Sequence, residues 1–321
     1  MNNYPYANGS IKSIENGILS RNKVYKLANV DKKEFVKTLF EMDYGTDPTN
    51  LETLISSEMM RTKELINSLT PDPLNIFLFF IVNDAQNIKV LYKSKVFGVS
   101  SNNIDNLLVD TGSINKNSLK KAIIYDDFSG LTKDESKLIN MVKENISGID
   151  NARLLSSKID NTIYKFALKK SLLNSCLETY FKSLIDFTNI ITLIRSRNLS
   201  WKQDKFLEMY LDGGTIKKDF FKENYEIEQN KKGEEKLLKN FVPYYNGKIT
   251  EILSDYFQNK NLNRLETKFD SLLIEVMNKF KNDAFSVGPM LFYYLEKSAE
   301  AKNIRMLYAS QNVDINDLLA I

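Results

Sequence analysis

No histidine and a single cysteine, Cys176, occur among 321 residues, so chemistry near neutral pH would fall to carboxylates, lysines and tyrosines. Asp126-Asp127 and Glu234-Glu235 are the acids that could be offered as a general acid and base. Adjacent helix positions point in different directions, so neither pair converges on one substrate. Gly213-Gly214-Thr215-Ile216-Lys217 imitates a phosphate loop but lacks its spaced glycines and its Gly-Lys-Ser/Thr end, and it reads as a turn into a helix. Cys176 reads as a small buried hydrophobe, and Trp201 as a packing residue. No catalytic residue, cofactor site or metal site is expected.

The acids that do recur with fixed company are different ones. Asp84-Ala85-Gln86-Asn87-Ile88-Lys89-Val90-Leu91, Asp186-Phe187-Thr188-Asn189-Ile190-Ile191-Thr192-Leu193 and Glu300-Ala301-Lys302-Asn303-Ile304-Arg305-Met306-Leu307 share the template acid-x-x-Asn-Ile-x-x-Leu. On a helix, offsets 0, 3, 4 and 7 share one face, which brings together Asp84, Asn87, Ile88 and Leu91, then Asp186, Asn189, Ile190 and Leu193, then Glu300, Asn303, Ile304 and Leu307. An acid and an amide on an apolar stripe need partners if buried. Either they tie the helix to a neighbouring backbone end, or the acids line a surface shared by three units.

A second landmark precedes each octet: Gly9-Ser10-Ile11, Gly112-Ser113-Ile114 and Gly214-Thr215-Ile216. Together they divide the chain into repeat units 1–110, 111–213 and 214–321.

Helices must position these groups. No proline lies between Pro73 and Pro243, which leaves the middle of the chain free to form uninterrupted helices. Leu265, Phe269, Leu272, Leu273, Val276, Met277 and Phe280 follow helical spacing. Thr49 with Glu52, Thr132 with Glu135, and Asp31 with Glu34 have the spacing of helix-start caps. Val90 to Val99 is the best candidate for anything other than helix. The expected fold is all-α. The longest apolar run, 76–82, is far shorter than the roughly 20 residues a bilayer core requires, so no membrane span is expected. The start of the chain also lacks the pattern of a secretory signal.

Net charge is +3, and the excess lies between residues 111 and 225, where nineteen Lys and Arg face fourteen Asp and Glu. Solvated helix faces account for most such charge. Lys165, Lys169, Lys170, Arg195 and Arg197 form a candidate interface patch toward an acidic partner or anionic headgroups. A near-balanced total gives no reason to expect nucleic acid as a partner.

Taken in order, these stretches resemble the C subunits of V-type and A-type ATPases, the family that includes the d subunit of the eukaryotic vacuolar enzyme. The likeness is carried by Gly288-Pro289-Met290-Leu291-Phe292-Tyr293-Tyr294-Leu295-Glu296-Lys297 leading into the third octet, by Tyr6-Ala7-Asn8-Gly9-Ser10-Ile11, and by Leu51-Glu52 and Leu265-Glu266. The resemblance implies three similar helical-bundle domains in a pseudo-threefold, funnel-like arrangement. It also implies a non-catalytic subunit on the cytoplasmic face of the membrane, peripheral to it. Such a subunit is a socket between the D and F subunits of the central stalk and the membrane proteolipid ring, coupling ATP hydrolysis or synthesis to proton or sodium transport. The rival reading is a helical-repeat adaptor that binds soluble proteins.

Overall fold

The structure is a computed structural model that describes residues 3–98, 104–309 and 318–319. Among these residues there is helix and no strand, so the fold is all-α. In chain order the helices are α1 (Tyr4–Ile14), α2 (Arg21–Ala28), α3 (Lys32–Glu41), α4 (Leu51–Leu69), α5 (Pro73–Phe97), α6 (Lys116–Tyr125), α7 (Lys133–Asn145) and α8 (Ala152–Ser171). They continue as α9 (Ser175–Asn198), α10 (Gln203–Met209), α11 (Lys218–Tyr225), α12 (Lys231–Phe241), α13 (Lys248–Asn259), α14 (Leu262–Met277) and α15 (Gly288–Ala309).

Asparagine starts many of these helices. The side chains of Asn50, Asn115, Asn151, Asn174, Asn230 and Asn261 each accept a backbone N–H from the first turn that follows. A short amide at that position satisfies donors that have no partner inside the helix. Thr132 and Glu135 form a reciprocal capping box on α7, and Asp31 caps α3 through the Lys33 N–H. Thr49 does not cap α4: its hydroxyl donates to Asp47 at 2.5 Å, and Asn50 takes the capping position.

The chain forms two compact units, Met1–Ile76 with Asn261–Ile321, and Phe77–Lys260. In the first unit, segments from both ends of the chain build one core. Leu27, Leu39, Leu54 and Ile55 on α2, α3 and α4 pack with Ala301, Ile304 and Leu307 of α15. Burying each large aliphatic side chain contributes about 2 kcal/mol. Helix α15 is buried around its circumference from Gly288 to Leu295, as expected for a helix with apolar residues on all sides. On α14, Leu265, Phe269, Leu272, Leu273 and Met277 are buried, whereas Val276 and Phe280 are half-buried where the helix gives way to a 3₁₀ turn.

In the second unit, α8 packs along both α7 and α9, and α10 closes onto α8 and α9. Leu155, Ile159 and Ile163 of α8 and Ile185, Ile190 and Leu193 of α9 are fully enclosed. The stretch from Val90, expected to depart from helix, is helical through Phe97, because Leu91 and Tyr92 are buried as the last apolar turns of α5; Val99 lies outside the described residues. By length and composition α5 could cross a bilayer. Its apolar window is nevertheless 56% buried inside the protein, and Asp84 and Asn87 at its middle are engaged by backbone, so it is a core helix.

Candidate functional site

The three octets lie on α5, α9 and α15, and in each the acid and the amide are almost entirely enclosed. On α5, Asp84 accepts the Ser113 N–H through Oδ2 and the Ile114 N–H through Oδ1, both at 3.0 Å. One turn on, Asn87 donates to the Val109 carbonyl at 2.9 Å and accepts the Val109 N–H at 2.8 Å. On α9 the same set recurs. Asp186 accepts the Thr215 and Ile216 N–H groups at 3.1 and 3.0 Å, and Asn189 exchanges bonds of 2.9 and 2.8 Å with Leu211.

These are clamps on a loop that leads into a later helix, the one before α6 in the first case and the one between α10 and α11 in the second. The acid takes up the two amides immediately before the helix, and the amide side chain pairs with a residue five positions upstream as a strand neighbour would. Gly112 and Gly214 make the approach possible. A Cβ would stand 2.3 Å from Asp84 Oδ1 at the first and 2.1 Å from Asp186 Oδ1 at the second. Tyr245 adds a hydroxyl that donates to Asp186 Oδ2 at 2.7 Å.

The clamp on α15 differs. Asn303 exchanges bonds of 3.0 and 2.8 Å with Leu319. Glu300 accepts one backbone donor, the Leu19 N–H, at 2.5 Å, and its other oxygen lies against Lys297 Nζ. Lys297 is 2% exposed and also pairs with Glu58 at 2.7 Å. Glu58 in turn accepts from Arg61 at 2.7 Å and from the Gly45 N–H at 3.1 Å. Burial pulls the Lys297 ammonium toward neutrality, but Glu300 and Glu58 outweigh it and hold its pKa above the ordinary lysine value.

The landmark Gly9-Ser10-Ile11 takes no part in this clamp. It lies inside α1, where Gly9 has no neighbour within reach of a Cβ. The segment with the matching role is Gly17-Ile18-Leu19, followed by Ser20 at the N-cap of α2, just as Asn115 and Lys217 stand at the N-caps of α6 and α11. The signal was present in the sequence as a glycine, an apolar residue two positions later and a helix start after it.

Three of the four acids considered for catalysis are tied to neighbours, and Glu235 is exposed. Asp126 ends α6 in the left-handed region and bonds Lys143 at 2.6 Å, Asp127 accepts the Ser129 N–H at 3.0 Å, and Glu234 pairs with Lys260 at 2.6 Å. Cys176 is buried.

The profile of the ATP synthase (C/AC39) subunit family matches residues 7–316. The chain belongs to this family. Several curated relatives are C subunits of A-type ATP synthases. That of Methanosphaera stadtmanae is 22% identical over 330 residues, covering 96% of this chain and 84% of the relative. That of Methanococcoides burtonii is 22% identical over 348 residues, covering 98% and 92%. That of Thermococcus onnurineus is 22% identical over 326 residues, covering 95% and 85%.

In this C/AC39 family member the five residues of the basic patch divide. Lys169 and Arg195 are exposed. Lys165 pairs with Asp212 at 2.8 Å and Lys170 with Asp134 at 2.9 Å. Arg197 is not on that surface: it is 7% exposed, and its guanidinium donates to the Asn224 and Ile227 carbonyls at 3.1 and 2.6 Å. A planar fork with five donors suits such a bracing of loop carbonyls, and helical periodicity alone gave no means of telling Arg197 from Arg195.

Proposed function

We propose that the chain is a non-catalytic central-stalk subunit of a V/A-type rotary ATPase. It acts as a socket between the D and F subunits of the stalk and the membrane proteolipid ring, peripheral to the membrane on its cytoplasmic face. The observation that carries this reading is the family match over residues 7–316. A socket that passes torque needs a body that resists shear, and the clamps support that requirement. Each fixes a loop to a buried helix by several hydrogen bonds inside the protein, where such bonds resist exchange with water.

We further propose three helical repeats, 1–110, 111–213 and 214–321. The acid of the first octet grips the start of the second repeat, the acid of the second grips the start of the third, and Glu300 grips Leu19 in the first. The hydrogen bonds therefore run as a closed cycle along the sequence. An adaptor assembled as an open solenoid has free end repeats, and this cycle favours the stalk subunit over it.

The test is recovery of the tagged full-length chain from detergent-solubilised membranes. Stalk subunits and proteolipid should copurify in fixed proportion. Recovery of the chain with soluble clients alone would overturn the socket reading.

A further inference from the structure

The turn from α8 to α9, in the second unit, presents two leucines to solvent. Leu173 is 103% exposed, the most exposed large apolar side chain among the described residues, and Leu172 beside it is 66% exposed. The turn itself has no need of them. Ser171 and Asn174 hold it: the Asn174 N–H donates to the Ser171 carbonyl at 2.8 Å, and the Asn174 side chain accepts the Leu177 N–H at 3.1 Å to start α9. Leu172 has right-handed helical backbone, φ −54° and ψ −22°, which a polar residue adopts as readily. Single exposed leucines are ordinary. Two in succession at the fixed apex of a helical hairpin make an apolar tip whose burial is gained only on contact with another body.

Charge around the tip has a definite sign. Helix α7 starts beside the end of α8, where Asp134 pairs with Lys170 at 2.9 Å. Glu178, in the first turn of α9, pairs with Lys182 at 2.6 Å, and Lys165, farther back on α8, pairs with Asp212 at 2.8 Å. These matched groups leave no surplus. Lys133 and Lys137 of α7 and Lys169 of α8 are exposed, and none of them has an acidic partner among the described residues. Against these three lysines stands the carboxylate of Glu135, which accepts only the neutral Thr132 N–H. The apolar tip is therefore backed by a surface of net positive charge.

We propose that the α8–α9 turn inserts Leu172 and Leu173 into the interface of an anionic lipid bilayer, with Lys133, Lys137 and Lys169 against the headgroups behind them. A convex apolar tip needs a matching hollow in any folded partner, whereas lipid closes around it without one. A second copy of the chain would bring the same unpartnered lysines together, and like charges oppose that occupant. Two leucines or a few lysines alone hold a protein to a membrane only weakly, and an apolar anchor with a basic flank combines the two signals that attachment requires. The contact rests on the peripheral placement proposed above and assigns the end of the second unit that faces the membrane.

The full-length chain is sedimented with phosphatidylcholine vesicles that contain or lack phosphatidylglycerol, at low and at high ionic strength. Partition onto the phosphatidylglycerol vesicles is expected, weakened by salt and by removal of the anionic lipid. Leu172→Ser with Leu173→Ser should lower the partition coefficient about thirtyfold, the loss for two leucines half immersed. Leu199→Ser, an exposed leucine at the other end of α9, should leave it unchanged. Lys133→Gln or Lys169→Gln should each lower it about fivefold and flatten its salt dependence. All these positions are exposed, and circular dichroism checks that each variant folds. Copurification from detergent-solubilised membranes, where no bilayer remains, separates this contact from the socket: the double-serine chain should recover stalk subunits and proteolipid as the wild type does. Absence of partition onto phosphatidylglycerol vesicles, or equal partition of the double-serine variant and the wild type, overturns the proposal. So does loss of proteolipid by the double-serine variant in detergent, which gives the tip a protein partner.

Discussion

The clamps of α5 and α9 are near copies of each other, whereas that of α15 is built with a different acid and closes on a different kind of loop. An aspartate sits close to its helix and can receive two successive amides if a glycine lets the backbone approach, as at Gly112 and Gly214. Glu300 reaches one methylene farther, receives a single amide from Leu19, and gives its other oxygen to Lys297. The backbone need not come as near, and no glycine is required there: a Cβ on Gly17 would meet nothing within 4 Å. One structural task, holding a loop to a buried helix, is thus met twice by main-chain donors and once by a charge network through Lys297 to Glu58.

That difference sets the largest expected effect. Lys297→Met would leave Glu58 and Glu300, 2% and 1% exposed, without the cation between them. Removing one member of a buried ion network costs about 3–5 kcal/mol, read from urea unfolding of the full chain. The triple variant with Glu58→Gln and Glu300→Gln should recover part of the loss, because the uncompensated charge is then gone. The network also has a pH signature. The ammonium holds its proton more tightly folded than unfolded, so its contribution is complete below the ordinary lysine pKa of about 10.4 and disappears as pH rises through the folded value. Wild type should lose stability more steeply over that alkaline window than Lys297→Met, whose remaining slope comes from buried tyrosines such as Tyr44 and Tyr245, held above the ordinary tyrosine pKa by burial. Equal alkaline slopes would remove the charge network from the account of this clamp.

The second test bears on the neutral half of the paired clamps. Asn189→Leu strips both partners from Leu211, whose N–H and carbonyl are buried with it. Two unmatched backbone groups cost about 2–4 kcal/mol together. If the chain still folds with near wild-type stability but no longer assembles with its partners, Asn189 serves an interface rather than the fold.

The octets were legible because helical spacing and burial both leave marks in sequence. A carboxylate and an amide fixed on an apolar stripe at offsets 0 and 3 announce partners, and α5, α9 and α15 carry them. The bonding partners were less legible. Lys297 lies three residues before Glu300, but Glu58 lies far away in sequence, and no local pattern joins them. Tyr245 reaches Asp186 across 59 positions in the same way. The basic patch failed at Arg197 for a related reason: charge counts assign it to the surface, whereas carbonyls that lack partners at a loop can draw an arginine inward. The first landmark failed through its neighbourhood rather than its spacing, since Gly9-Ser10-Ile11 looks like its counterparts until α1 is seen to run through it.

Glycine substitutions separate the true landmarks from the apparent one, at the smallest scale. At Gly214, alanine would drive a Cβ against Asp186 Oδ1, and the clamp must open or shift to accept it. Such overpacking costs about 1–3 kcal/mol, and Gly112→Ala should behave alike because its geometry with Asp84 is the same. At Gly9 the sign reverses. The residue is in the middle of α1 with open space around its Cβ position, so alanine relieves the entropic cost of glycine in a helix and should stabilise by about 0.5–1 kcal/mol. Thermal unfolding of the three variants reads the contrast directly. A loss at Gly9 as large as that at Gly214 would mean that Gly9-Ser10-Ile11 is gripped after all, and that the clamp of α15 closes on α1 rather than on the loop before α2.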